Sequence, residues 1–154
     1  MFGFGRKKKV VVAAPTAGEI IDITAVEDGV FSSKMLGDGF AVKTAAEEVT
    51  APCDGEIILV AETKHAVALR QEGMEILIHV GLDTVNMNGQ GFSSLVQKGD
   101  KVKKGQPLLH FSLADIEAAG KDTVTILTIT NMDKVKNLGK NLQDREAVLE
   151  AEMK

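Results

Sequence analysis

The 154-residue sequence has no tryptophan, no tyrosine and a single cysteine. Without the large aromatics it lacks the stacking platforms that grip single-stranded nucleic acids, and only six phenylalanines remain for such work. Cys53 has no partner for an internal disulfide and cannot build a cysteine-rich metal site; it reads as a small, semi-buried residue. No run approaches the roughly 18 apolar residues of a membrane span, and residues 1–9 lack the apolar core of a signal peptide. The compartment expected is the cytoplasm. Positive charge is also in deficit: the formal net charge of -4 argues against a nucleic-acid partner, which requires a net basic face.

What is present is a series of short β-branched runs punctuated by glycine. Segments 10–13, 19–23, 40–43, 56–60, 65–70, 74–80, 108–112 and 123–130 all read as strands. That spacing predicts an all-β fold, a single-domain antiparallel β-sandwich or barrel with short helical segments. A helix is predicted at 113–119, closed by Gly120, and a second in the charged tail 141–154, whose Asp144-Arg-Glu-Ala-Val-Leu-Glu-Ala-Glu is rich in helix formers. The organisation expected is a flexible basic leader over residues 1–9, a domain over 10–132, and a helical or frayed segment over 133–154. The leader, with Phe2, Phe4 and four positive charges, suits a weak contact with an anionic membrane surface through residues 2–9, weighed against a plain solubilising tail.

An internal repeat stands out. Ala14-Pro-Thr-Ala-Gly-Glu-Ile-Ile recurs as Ala51-Pro-Cys-Asp-Gly-Glu-Ile-Ile, a shift of 37 positions (51 minus 14). Pro and Gly fix a turn that feeds a strand, so the repeat suggests a sandwich assembled from related halves. The same shift carries Asp28 onto His65.

The chemistry concentrates in the stretch from Thr63 to Val85. A three-residue loop, Gln71-Glu72-Gly73, would pair Arg70 with Met74 and set His65 opposite His79. Directly opposed residues have β-carbons about 4.5 to 5.5 Å apart, so two imidazoles would share one small anion or metal. Thr63, Val67 and Leu69 would share their face with Leu77 and Gly81, and Gly81 would leave space beside the His79 ring. One histidine on an apolar face is usually an ordinary core residue; two in register point to a site. Neutral imidazole is a good nucleophile toward phosphorus and carries the phosphoryl group as a labile adduct. The same pair offers two nitrogen ligands to zinc, with Asp28 or Asp83 as an oxygen ligand. No nucleotide-binding loop and no serine-hydrolase elbow is present. His110 alternates with apolar residues and reads as an ordinary strand position.

Several segments resemble the glucose-type enzyme IIA family of the bacterial phosphoenolpyruvate-dependent sugar phosphotransferase system. They are Val30-Phe-Ser-Ser-Lys-Met-Leu-Gly-Asp-Gly-Phe40, Thr63-Lys-His-Ala66, Glu75-Ile-Leu-Ile-His-Val-Gly-Leu-Asp-Thr-Val85, Gly89-Gln-Gly-Phe92, Val96 through Leu108, and Thr130-Asn-Met132. The resemblance implies a β-sandwich phosphotransferase component with a phosphohistidine intermediate. It would accept phosphate from the phosphocarrier HPr and pass it to a sugar-specific enzyme IIB/IIC permease. It further implies that His79 is phosphorylated, that His65 supports the transfer, and that Thr63 is a hydrogen-bonding partner. Asp28, Val30, Phe31, Met35, Leu36, Leu77, Asp83 and Val85 would form the docking rim. No cofactor is implied, beyond an adventitious or regulatory zinc at His65 and His79. The family's closing strand usually carries Gly-x-Val-x-x-Gly, from which the charged segment beginning at Lys134 departs.

Two other classes fit parts of the chain. A zinc hydrolase would use the two histidines, and a biotinyl- or lipoyl-type carrier would use the turn Gly99-Asp-Lys-Val-Lys-Lys-Gly105, although nothing there marks one lysine over the others.

Overall fold

The segment Met74–Val80 forms a strand in which buried and half-covered side chains strictly alternate, as the period of two in an extended chain requires. It lies near the middle of the larger of the sheets seen in a computed structural model, which describes residues 9–154. Apart from Lys9, the basic leader and its proposed membrane contact lie outside the described residues.

In chain order the first strands are β1 (Lys9–Val12), β2 (Gly18–Asp22), β3 (Asp38–Thr44), β4 (Glu48–Thr50) and β5 (Gly55–Val60). The next are β6 (Ala66–Gln71), β7 (Met74–Val80), β8 (Phe92–Ser94), β9 (Lys101–Val102) and β10 (Pro107–Phe111). β11 (Thr125–Ile129), β12 (Val135–Lys140) and β13 (Leu149–Met153) complete them. Two α-helices are short, α1 (Gly29–Ser32) and α2 (Leu113–Ala118). Each begins at a side-chain cap: Asp28 accepts from the Val30 amide and Ser112 from the Asp115 amide, relieving amides that the first turn leaves unpaired.

All strand pairings are antiparallel. A seven-stranded sheet, β2-β3-β11-β7-β6-β5-β9, faces two three-stranded sheets, β1-β13-β12 and β4-β10-β8. Phe40, Ile57, Leu69, Ile76, Leu108 and Leu149, all fully buried, belong to the core that the three sheets share. This is the expected antiparallel β-sandwich. A second, smaller apolar cluster of Ile23, Val26, Phe31, Ala41, Leu82, Val124 and Ile126 covers part of the other face of the large sheet.

The C-terminal segment corrects the expected helix. β12 and β13 pair with each other, and β13 pairs with β1 in the register Val10↔Ala151 and Val12↔Leu149. Leu149, Ala151 and Met153 are buried beside Val10 and Val12, so tertiary burial overrides the helical preference of the Glu-Ala-rich tail.

The repeat acquires structural meaning. Each copy leads into a strand, β2 or β5, and the residue just before each copy donates to the proline of the other. The Ala13 amide donates to the Pro52 carbonyl, and the Thr50 amide donates to the Pro15 carbonyl, each at 2.8–2.9 Å. Shifting one bond by 37 positions and swapping copies yields the other, the signature of a local pseudo-two-fold relation between the halves.

Candidate functional site

Cross-strand register lays a row of side chains over the outer face of the large sheet: Ile21, Ala41, Ile126, His79 and Ala66. Directly paired residues share a face, so His79 emerges beside the small apolar cluster and away from the main core. The long connection between β2 and β3, residues 23–37, folds over this face. Its Phe31 is buried with its ring centroid 5.3 Å from that of His79.

The hairpin that carries the histidines differs from the expected one. Gln71 pairs with Met74 and Arg70 with Glu75, so the turn has two residues. Glu72 and Gly73 both have positive φ, 50° and 82°, the geometry of a two-residue hairpin turn. His79 therefore faces Ala66, while Val67 and Leu69 belong to the main core on the opposite face. A regular strand in this register would turn His65 into that core. Instead β6 starts at Ala66, after a turn in which Lys64 takes a left-handed φ of 62°. His65 escapes the alternation and meets His79 edge to face, with centroids 4.9 Å apart and planes at 80°. The two rings do come together, by a different backbone route from the one their spacing suggested.

Each imidazole is held through Nδ1. His79 Nδ1 lies 2.8 Å from the Gly81 carbonyl; a carbonyl only accepts, so Nδ1 carries the proton and Nε2 of the neutral ring keeps its lone pair. His65 Nδ1 lies 2.6 Å from the Thr63 hydroxyl. Burial, and then the neighbouring His65, push His79 from 6.5 down to about 4, against the opposing pull of the Gly81 bond and of Asp28 and Asp83. Burial lowers His65 as well. Both rings are neutral at physiological pH.

Gly81 does not provide ligand space. At its φ of +78°, an added Cβ would sit 2.4 Å from Thr84 Cγ2 and 2.8 Å from the Asp122 carbonyl. Its function in the turn is to aim a carbonyl at His79. Thr84, fully buried, packs its methyl there and donates its hydroxyl to the Val80 carbonyl at 2.5 Å. Sequence reasoning missed Thr84; its position two residues after Leu82 in the Gly81-Leu-Asp-Thr84 run was the only available hint.

The rim residues fall on the segments flanking His79. Val30, Met35, Leu36 and Val85 are exposed, Met35 by 74%. Phe31 lies beneath them, and Leu77 is half-buried, two positions from His79 on the same face of β7. Asp28 caps α1, and Asp83 is exposed with a left-handed φ of 59°. The zinc arrangement with Asp28 or Asp83 as third ligand is not assembled: among the described residues no group of three or more His, Cys, Asp or Glu is placed to hold a metal ion. His110 is exposed and pairs with Glu48 at 2.8 Å. Cys53 is buried, and burial, with Asp54, pushes its thiol up to about 12.

The family model for the phosphoenolpyruvate-dependent sugar phosphotransferase system, EIIA 1, matches residues 10–135. The chain belongs to this EIIA family. Such proteins are the phosphocarriers between HPr and enzyme IIB, and this EIIA is accordingly a phosphotransferase system component. It is 47% identical over 140 residues to the "PTS system glucose-specific EIIA component" of Oceanobacillus iheyensis, covering 90% of this chain and 84% of the other. With the Staphylococcus aureus (strain COL) component of the same name it shares 39% identity over 157 residues, covering 100% and 93%. Among solved structures, glucose permease IIA from Mycoplasma capricolum superposes with a TM-score of 0.75 at 31% identity, covering 100% of this chain and 94% of that one. Among the described residues no helix of this EIIA is long and apolar enough to cross a membrane.

Proposed function

We propose that this EIIA takes a phosphoryl group from phospho-HPr onto Nε2 of His79 and delivers it to a sugar-specific enzyme IIB/IIC permease in the cytoplasm. The observation that carries the reading is the 2.8 Å contact of His79 Nδ1 with the Gly81 carbonyl, which commits the lone pair to Nε2. That nitrogen attacks phosphorus in line. The new P–Nε2 bond forms as the bond to the donor's imidazole nitrogen breaks, and the donor ring leaves with the electron pair. A hydroxyl proton given by Thr63 to His65 Nδ1 would leave the His65 proton on Nε2, where it can donate to a phosphoryl oxygen. No resident cofactor is required, because positioning and electrostatics supply the catalysis. Among the described residues no third His, Cys, Asp or Glu joins the two imidazoles to hold a metal ion, so we assign zinc no part in the transfer.

The apolar residues Val30, Met35, Leu36, Leu77 and Val85 exclude water from the labile adduct when a partner docks, while Asp28 and Asp83 steer a basic partner into register. The sugar is set by the permease. A "beta-glucoside-specific EIIBCA component" of Bacillus subtilis is 42% identical over 145 residues, so similar EIIA sequences occur in proteins named for different sugars.

The test is incubation with phosphoenolpyruvate, enzyme I and HPr, followed by intact mass and acid treatment. One acid-labile phosphoryl group is expected, absent in His79→Ala. No adduct from a relay that phosphorylates HPr would overturn the reading.

A further inference from the structure

The 23–37 connection, which roofs His79 and carries most of the rim, is a long excursion between two strands that pair directly, β2 and β3. Hairpin connections are usually two to five residues long, and a longer one leaves more chain to be ordered. Its two ends are fastened by one side chain from a distant strand. Lys140, on β12, donates to Asp22 Oδ1 at 2.8 Å, to Asp38 Oδ1 at 2.6 Å and to the Gly39 carbonyl at 2.8 Å. An ammonium has three protons, and all three are used. Asp22 is the last residue before the excursion and Asp38 the first after it.

The surrounding contacts carry this fastening into the excursion. Asp22 accepts from the Thr24 amide and hydroxyl, holding the 3-10 turn Ile23–Ala25. Asp38 also meets Lys34 at 3.6 Å, next to Met35 and Leu36. Burial of the ammonium opposes its charge, but hydrogen bonds to both carboxylates prevail and hold it more firmly protonated; burial of Asp22 likewise opposes its ionisation, but the bonds from Lys140 and Thr24 prevail and bring it to about 2.

We infer that Lys140 is a positioning residue of the docking face: it clasps the base of the 23–37 excursion and so sets where Phe31, Met35 and Leu36 stand over His79. This rests on the proposed use of that face to dock phospho-HPr. The C-terminal hairpin thereby governs partner affinity from the far end of the chain without touching the histidines.

The variant Lys140→Met keeps the length of the apolar stem and removes the charge; Asp22→Asn leaves the lysine and weakens one end. For either, amide hydrogen exchange across 23–37 should accelerate while residues 74–80 stay as protected as in the parent chain. With phospho-HPr as donor, KM should rise roughly three- to tenfold with a far smaller fall in kcat, and Lys140→Arg should recover part of the loss. Unchanged exchange at 23–37, or an unchanged KM, in a folded variant overturns the clasp. If the parent chain itself takes no phosphoryl group on His79, the proposed function fails instead, and the exchange measurement alone still decides whether Lys140 holds the excursion. Should Lys140→Met not fold, Asp22→Asn carries both measurements.

Discussion

In the proposed transfer His79 combines two demands on one ring: it has to be neutral to attack phosphorus, and its lone pair has to be on a particular nitrogen. Burial meets the first demand. Because the folded value, about 4, lies below the ordinary 6.5, the unfolded chain binds the proton more readily. Folding stability therefore begins to fall as pH drops through 6.5, and the loss is complete below 4, about 3 kcal/mol at the full shift. Above 6.5 the ring contributes no pH dependence. His79→Ala should accordingly flatten the denaturant-measured stability profile between pH 7 and 4, and an NMR titration of the parent ring should have its midpoint near 4; a midpoint near 6.5 would refute the assigned burial. The second demand is met by the Gly81 carbonyl, in a turn where Thr84 bonds the preceding Val80 carbonyl. Thr84→Val keeps the methyl and loses the bond to Val80, so the His79 ring nitrogens should show a mixed tautomer by their 15N shifts and phosphoryl acceptance should slow roughly tenfold. Thr84→Ser should keep the tautomer. His65→Ala should still accept the phosphoryl group and transfer it poorly to enzyme IIB; normal donation would remove His65 from the mechanism.

At the scale of elements, legibility in the sequence followed local physics. β7 could be read residue by residue because it has one covered face and one half-open face. Hairpin register could not, because Gly73 alone looked like the only left-handed residue, whereas Glu72 adopts positive φ too. The expected cross-strand pairing of His65 with His79 is replaced by Ala66 with His79; the two rings still meet, because Lys64 leaves the regular strand conformation, and lysine gives no sequence signal for that. The tail was misread for the opposite reason: Glu146-Ala-Val-Leu-Glu-Ala-Glu152 has strong helical propensity, and only the presence of β1 alongside makes Leu149, Ala151 and Met153 a buried row. Truncation after Lys134 should therefore remove an integral hairpin, exposing Val10 and Val12; a sharply lowered Tm or insolubility is expected by thermal denaturation, where loss of a frayed tail would leave Tm within a degree or two.

Across the whole molecule, the sandwich and the phosphocarrier family were legible because long motifs in order constrain the fold more tightly than any single propensity. The Lys140 clasp was not, since it joins positions 22, 38 and 140 that only the folded chain brings together. Cys53 fits the reading of a packing residue: with its thiol raised to about 12, it should resist alkylation until the chain unfolds, which makes thiol labelling a simple reporter of global opening.

The pairing of Lys9 with Glu152 on adjacent strands brings the two ends of the described chain to the same edge of the molecule. A domain whose ends meet can be spliced between other domains, or have its order of segments rotated, without crossing its own surface. Joining Lys154 to Lys9 through a short flexible linker and opening the chain between Ala45 and Ala46 should give a circular permutant that folds and still accepts a phosphoryl group on His79. A similar stretch stands within a longer chain in the Bacillus subtilis EIIBCA protein, where the 145-residue match covers 24% of that protein's length.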